Sequence, residues 1–299
     1  MKKAAFVIIV FLLSAAQVSA SGNDSLHKGR LALVVGSEAV AYAGALLVLN
    51  EFWYKHNEQS AFHFYNDNKG WLQVDKMGHA FSAYAQSYWG LKALQWAGVE
   101  RKKAIIFGGG LGIIMQTPIE ILDGHSAAWG ASWGDLIANT AGSALVIGNQ
   151  LAWDDQRIRM KFSYSPSPYT KYRPSYFGTT PAENFLRDYN GHTYWLSTNI
   201  KAFFPKAKYV PQWLNVDVGM GADGMLAEYF NPLTHRGQPL PHFKRQRQYY
   251  LSLDVDFEKI KTNSKVLKTV FPIINIIKVP FPALEYNRVA GFVFHPLHF

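Results

Sequence analysis

The stretch WLQVDKMGHAFSAYAQSYWG, residues 71–90, begins with charged residues and continues as an apolar, aromatic segment. At 100° per residue, Asp75, His79, Ser82 and Gln86 fall on one narrow stripe of a helix. Asp75 also suits the first turn of a helix, where a carboxylate is favourable. The stretch therefore predicts a helix whose first turns carry a polar stripe.

Three more apolar segments accompany this helix, which is predicted over 77–98. They cover residues 31–50, 103–122 and 133–153. Each is close to the ~20 residues that cross a hydrocarbon core, yet each carries polar groups that disfavour contact with lipid. Two interpretations stay open: membrane-embedded helices with polar groups facing inward, or buried helices of a bundle outside the membrane. We favour membrane embedding or tight membrane association.

Polar pairs recur four residues apart near one end of two further helices. They are Gln116 with Glu120 and Asp135 with Asn139. Because helix starts and ends alternate in an up-down bundle, these pairs can meet Asp75 and His79 on one side. The predicted catalytic residues are His79, Glu120, Asp135 and Asp75, and the predicted substrate-binding residues are Lys76, Asn139, Ser132 and Gln116.

Three chemical interpretations of this polar set remain. His79 can act as a general base oriented by Glu120 or Asp135, with Lys76 neutralising a phosphate. A divalent metal ion can instead be the cofactor, and its ligands would be His79, Glu120, Asp123 and Asp135. In the third interpretation the set is a buried structural network, in which Asp75 stabilises a helix start and Ser132 with Asp135 forms a cap.

The second half of the chain changes character. Residues 157–182 are rich in proline and aromatic residues and predict a linker, followed by a mixed, β-rich region over 183–299. LNVDVGMG (214–221) and YYLSLDVDF (249–257) alternate apolar and polar residues, as half-buried antiparallel strands do. The predicted fold is therefore mainly α with a smaller β part: a four-helix apolar bundle (21–156), a linker and a small antiparallel sheet.

Residues 1–20 resemble an export signal, with a basic start, a short apolar core and small residues before position 20. The chain has no cysteine, which excludes disulfides, thiol catalysis and a lipid anchor on a processed cysteine. We expect an exported protein of the periplasm or outer membrane.

Charge is distributed unevenly along the chain. Residues 1–156 carry 11 Lys and Arg against 12 Asp and Glu, whereas 157–299 carry 19 against 9. In an exported protein, a basic half predicts a membrane or anionic lipid headgroups as the partner, although a solvated basic surface fits as well. Nucleic acid is not expected, and the sequence indicates no particular protein partner.

The ordered motifs DKMGH (75–79), EILD (120–123) and SWGD (132–135), followed by a small-residue helix, resemble the YfiM-type family of predicted periplasmic lipoproteins over residues 71–148. A more distant resemblance is to VanZ-like membrane proteins. The family resemblance implies an envelope location but no reaction. The prediction is a membrane-associated envelope protein whose His/Glu/Asp site acts on lipid or lipid-linked headgroups; the alternative is a non-enzymatic structural or assembly factor.

Overall fold

The computed structural model describes residues 26–55 and 57–299. The predicted export signal, 1–20, lies outside the described residues. Helix predominates over strand, and the strands form an antiparallel sheet, so the prediction of a mainly α protein with a smaller β part is confirmed.

Three of the four long apolar helices lie close to their predicted bounds, and the helix predicted over 103–122 begins at Leu111. The four helices are α1 (Lys28–Leu49), α2 (Val74–Trp96), α3 (Leu111–Gly124) and α4 (Trp133–Trp153). A short helix, Arg101–Lys103, and a π-helical turn, Ala104–Gly108, precede α3. Helices α3 and α4 pack against each other, but a four-helix bundle is not confirmed.

A small-residue contact explains the close packing of α2 and α3. A Cβ added at Gly112 of α3 would lie 2.1 Å from the carbonyl oxygen of Ala83 in α2. The amide of Gly112 donates to the Ser87 hydroxyl at 3.0 Å, and that hydroxyl donates to Ser143 of α4 at 2.9 Å. Only glycine permits so close an approach of α3 to α2.

The strands form one six-stranded antiparallel sheet in the order β1-β2-β3-β6-β7-β8. Its strands are β1 (Ile158–Tyr164), β2 (His192–Asn199), β3 (Leu214–Asp223), β6 (Gln246–Val255), β7 (Phe281–Asn287) and β8 (Gly291–His298). The two short strands β4 (Thr234–His235) and β5 (Gln238–Pro239) pair separately. Two further helices are α5 (Pro181–Arg187) and α6 (Lys265–Ile274).

The predicted linker is partly sheet. Residues 158–164 form β1, which pairs along its whole length with β2. Proline and aromatic residues, which suggested a linker, are concentrated after this strand, where short helices occupy Thr170–Tyr172 and Pro174–Phe177. The β-rich region therefore begins within the segment that composition assigned to a linker.

The alternation predicted for the strands is present, but the polar face is the buried one. In β6, Ser252 and Asp254 are buried, whereas Leu251 and Leu253 are exposed. Alternation alone gives the two faces of a strand without telling which faces the interior, because the period is two for either face. A half-buried strand is expected to expose its polar face to water, whereas this sheet exposes its apolar face.

The described chain forms two compact units. The first comprises residues up to 66, 82–156 and 260–275; the second comprises 67–81, 157–259 and 276–299. Each unit draws on distant parts of the sequence, unlike the consecutive regions suggested by composition.

Two helical stretches, Lys28–Leu49 and Arg101–Gly124, are long and apolar enough to cross a membrane by length and composition. Few residues of the first are buried, and a third of the apolar window of the second is buried. The apolar side chains of these two stretches therefore largely face outward.

Candidate functional site

The start of α2 carries Asp75 and Lys76 in a network of hydrogen bonds and ion pairs. The Lys76 ammonium pairs with Asp67 and, at 3.2 Å, with Asp75. The Tyr189 hydroxyl donates to Asp75 at 3.0 Å. Asp75 lies in the first turn, as predicted, where the helix dipole also favours its charge. Lys76 therefore pairs with carboxylates near it in the chain. The prediction that Lys76 neutralises a phosphate did not include these pairs.

The end of α3 carries the predicted Gln116, Glu120 and Asp123. The Glu120 carboxylate is almost fully buried and accepts a hydrogen bond from the backbone amide of Ser132 at 3.2 Å. The Gln116 amide donates to Gln86 at 3.3 Å, which joins the stripe of α3 to the stripe predicted for α2.

The start of α4 carries Ser132, Asp135 and Asn139. The Ser132 hydroxyl accepts from the amide of Asp135 at 3.2 Å and caps the helix, as the SWGD motif predicted. Asp135 and Asn139 are buried. Neither amide atom of Asn139 has a hydrogen-bond partner among the described residues. A buried amide in this state costs free energy, so a site that binds a polar ligand is one reason to keep it.

In the second unit, Asp75 and His79 lie one turn apart on α2 and offer two metal-ligand atoms within 4.8 Å of each other. Of the predicted metal ligands, His79 belongs to this unit, whereas Glu120, Asp123 and Asp135 belong to the first unit. The Glu120 carboxylate instead receives the Ser132 amide, and Asp123 receives the Tyr54 hydroxyl at 2.8 Å.

Tyr54 is a residue that sequence reasoning missed. It is buried at the end of a π-helical turn, Asn50–Tyr54, and its ring packs edge-on against Trp129. Burial and the neighbouring Asp123 raise the pKa of Tyr54, so its hydroxyl is a hydrogen-bond donor at neutral pH. A π-helical turn shifts the register of α1, so helical periodicity could not place this tyrosine beside Asp123.

A second polar cluster lies on the buried face of the sheet. Lys161 pairs with Asp254 at 2.5 Å, and Arg159 pairs with Glu258 at 2.5 Å and Asp256 at 3.3 Å. Burial, reinforced by the charge of Asp254, raises the pKa of Asp217 to about 7. The only sequence signal for this cluster is the charged alternation in β1 and β6, which normally marks a solvated face.

Part of the chain matches a known protein family. Residues 62–148 match the family described as predicted periplasmic lipoprotein (DUF2279). The match covers less than a third of the 299 residues and contains the described candidate residues from Asp75 to Asn139. The DUF2279 match confirms the predicted resemblance and supports an exported, periplasmic, membrane-associated location.

The similarity to VanZ-like proteins is not shown. No curated protein and no solved structure matches the chain. The DUF2279 description names no reaction, so the chemistry of the site depends on its own residues.

Proposed function

We propose that this protein is a membrane-associated envelope protein that acts on the polar headgroup of a lipid or lipid-linked substrate. The observation that carries the proposal is the arrangement within the first unit, where buried acid and amide groups lie beneath an apolar exterior. Glu120, Asp135 and Asn139 are buried, whereas Ile114 and Ile137 on the same helices are 58% and 68% exposed. An amphiphilic substrate suits such a unit because its chains and its headgroup need opposite environments.

The chemistry proposed for the site is acid–base or cation-assisted. His79 acts as the base, and Asp75 orients it or shares a divalent cation with it. The support is the proximity of one ligand atom of Asp75 to one of His79, one turn apart on α2. Glu120, fixed by the Ser132 amide, holds the loop before α4 in place for Asp135.

A divalent cation is tested by thermal unfolding of the purified full-length protein with Mg²⁺, Mn²⁺ or Zn²⁺. The cation should raise the unfolding temperature of the wild type and of His242→Ala, a variant at an exposed histidine. It should have no such effect on Asp75→Asn. An equal shift in all three proteins would contradict a cation at this group.

The headgroup function is tested by complementing a deletion strain. His79→Ala should leave the envelope lipid profile as it is in the deletion strain, whereas His242→Ala should restore the wild-type profile. Both variants must be present in the envelope at wild-type amounts. Full restoration by His79→Ala would remove the catalytic role.

The second candidate is a non-enzymatic structural or assembly factor, which is favoured by the capping and hydrogen-bonding duties of Ser132 and Glu120. In that case the buried polar groups serve as a lock between helices. The same strains separate the candidates, because a structural lock tolerates His79→Ala wherever the variant protein remains folded.

A further inference from the structure

The sheet of the second unit exposes its apolar face. Leu196, Val218, Leu251, Leu284 and Phe294 are direct cross-strand neighbours on β2, β3, β6, β7 and β8. All five are between 40% and 66% exposed. Strands lie about 4.8 Å apart, so this row runs for about 19 Å across the sheet. Soluble proteins rarely expose so continuous an apolar surface.

The opposite face of the same strands is polar and buried. One residue along, the row reads Ser197, Asp217, Ser252, Ala283 and His295. The first four are at most 5% exposed. Lys161 of β1 and Asp254 of β6 pair on this face, and both side chains are fully buried. A sheet that places ion pairs inside and leucines outside is built for a surrounding medium less polar than water.

The ends of the exposed face have the residues of a membrane interface. At one end, Tyr249, Tyr286 and Phe292 are paired across β6, β7 and β8 and are all exposed. Aromatic side chains of this kind concentrate at headgroup depth. From Tyr249 to Leu253 the apolar stripe of β6 extends about 14 Å.

At the other end, the segment between β2 and β3 combines basic and aromatic residues. Lys206 and Lys208 are exposed, and the side chains of Phe204 and Tyr209 are 66% and 98% exposed. Asn199 pairs with Asn215, and Leu214 pairs with Val255, so this segment adjoins the ends of β2, β3 and β6. Lysines next to exposed rings complement anionic phosphate headgroups.

We propose that the apolar face of this sheet lies against the acyl chains of a phospholipid bilayer, with the segment 200–213 at its headgroups. The occupant is lipid rather than protein because the apolar rows are bounded at one end by an aromatic row and at the other by lysines, the residue types that line the edges of a hydrocarbon contact. This contact is independent of any reaction at His79.

The absence of cysteine makes a direct experiment possible. Leu251→Cys and Leu284→Cys each place one thiol on the exposed row, and Gln238→Cys places a control thiol on the exposed, polar β5 of the same unit. Each full-length variant is labelled with an environment-sensitive fluorophore and reconstituted in phosphatidylethanolamine–phosphatidylglycerol vesicles. Circular dichroism matching the wild type verifies the fold of each variant.

Nitroxide groups on the acyl chains should quench the labels at 251 and 284 several-fold more strongly than the label at 238, and aqueous iodide should show the reverse order. Equal quenching of all three labels by iodide would overturn the proposal. Pyrene at 251 distinguishes the other occupant: excimer emission without quenching by acyl-chain nitroxides would show that a second copy of the chain covers the face, which also overturns it.

Discussion

Glu120 illustrates how one buried carboxylate joins two helices. It lies in the last turns of α3, and its acceptor oxygen receives the backbone amide of Ser132, whose hydroxyl caps α4. A carboxylate in an apolar helix end needs a partner, and the sequence suggested His79. The backbone amide of Ser132 is a partner that no side-chain pattern identifies, because backbone donors are the same at every position.

Glu120→Ala should lower the free energy of unfolding by about 2–3 kcal/mol, because the buried Ser132 amide loses a charged acceptor. Chemical denaturation in detergent measures the change. The matched control is Glu100→Ala, which removes an exposed carboxylate paired with Lys103 and should cost less than about 1 kcal/mol. Equal stability of Glu120→Ala and the wild type would show that the hydrogen bond contributes nothing.

His298 makes stability depend on pH. Burial, with the nearby His295 acting in the same direction, lowers the pKa of His298 to about 4. The unfolded chain binds a proton below about pH 6.5, whereas the folded chain binds it only near pH 4. The contribution of neutral His298 is therefore present above pH 6.5 and is lost as the pH falls towards 4.

Replacing His298 should reduce the loss of stability as the pH falls. The unfolding temperature of His298→Phe should fall less than that of the wild type between pH 7 and pH 4.5. The exposed control His242→Phe should follow the wild type. A pH profile of His298→Phe that coincides with the wild-type profile would show that His298 does not contribute to the pH dependence of stability.

Among the helices and strands, hydrophobic periodicity predicted most of the element bounds. The pattern of polar residues did not predict which strand face is buried. Apolar segments predicted α1, α2 and α4 within about three residues, whereas α3 begins at Leu111 rather than at 103; alternation predicted β3 and β6. The burial of Asp217 and Asp254 was not predictable from alternation, because charges on a strand ordinarily face water. Composition also placed a linker where β1 pairs with β2, since pairing depends on residues distant in sequence.

The approach of α2 to α3 depends on one glycine. Gly112→Ala should destabilise the protein by about 1–3 kcal/mol, because the added Cβ would meet the backbone of Ala83 at 2.1 Å. Gly148→Ala in α4 is the control: nothing lies within 4 Å of its added Cβ, and alanine favours helix by up to about 1 kcal/mol. Thermal unfolding should therefore shift in opposite directions. A shift in the same direction would contradict the close contact.

At the scale of the whole molecule, each unit taken by itself has an apolar exterior. In the first unit it covers buried acids and amides; in the second it covers a buried charged sheet face. The sequence predicted membrane association from apolar helices and a basic second half, which agrees with the location supported by the DUF2279 match. The headgroup substrate follows only from the chemistry of the site and stays a prediction.

The basic segment 200–213 should contribute to attraction by anionic lipid. Lys206→Gln combined with Lys208→Gln should weaken binding to phosphatidylglycerol-containing vesicles by roughly 30-fold at low salt, at about 1 kcal/mol for each lysine. Vesicle co-sedimentation measures it, and the difference should shrink as salt rises. Lys102→Gln with Lys103→Gln, also two exposed lysines, serves as the control. Equal losses in the two double variants would show that attraction depends on net charge alone.

Conversion of a lipid headgroup at the polar site can be measured in one reconstituted system. Purified full-length protein is incubated in vesicles made from envelope lipids, with Mg²⁺ and Mn²⁺ present, and headgroup composition is followed over time by mass spectrometry. We expect the wild type and His242→Ala to convert one headgroup species and His79→Ala to convert none. A lipid composition that stays constant with the wild type, or that changes equally with His79→Ala, would contradict this expectation.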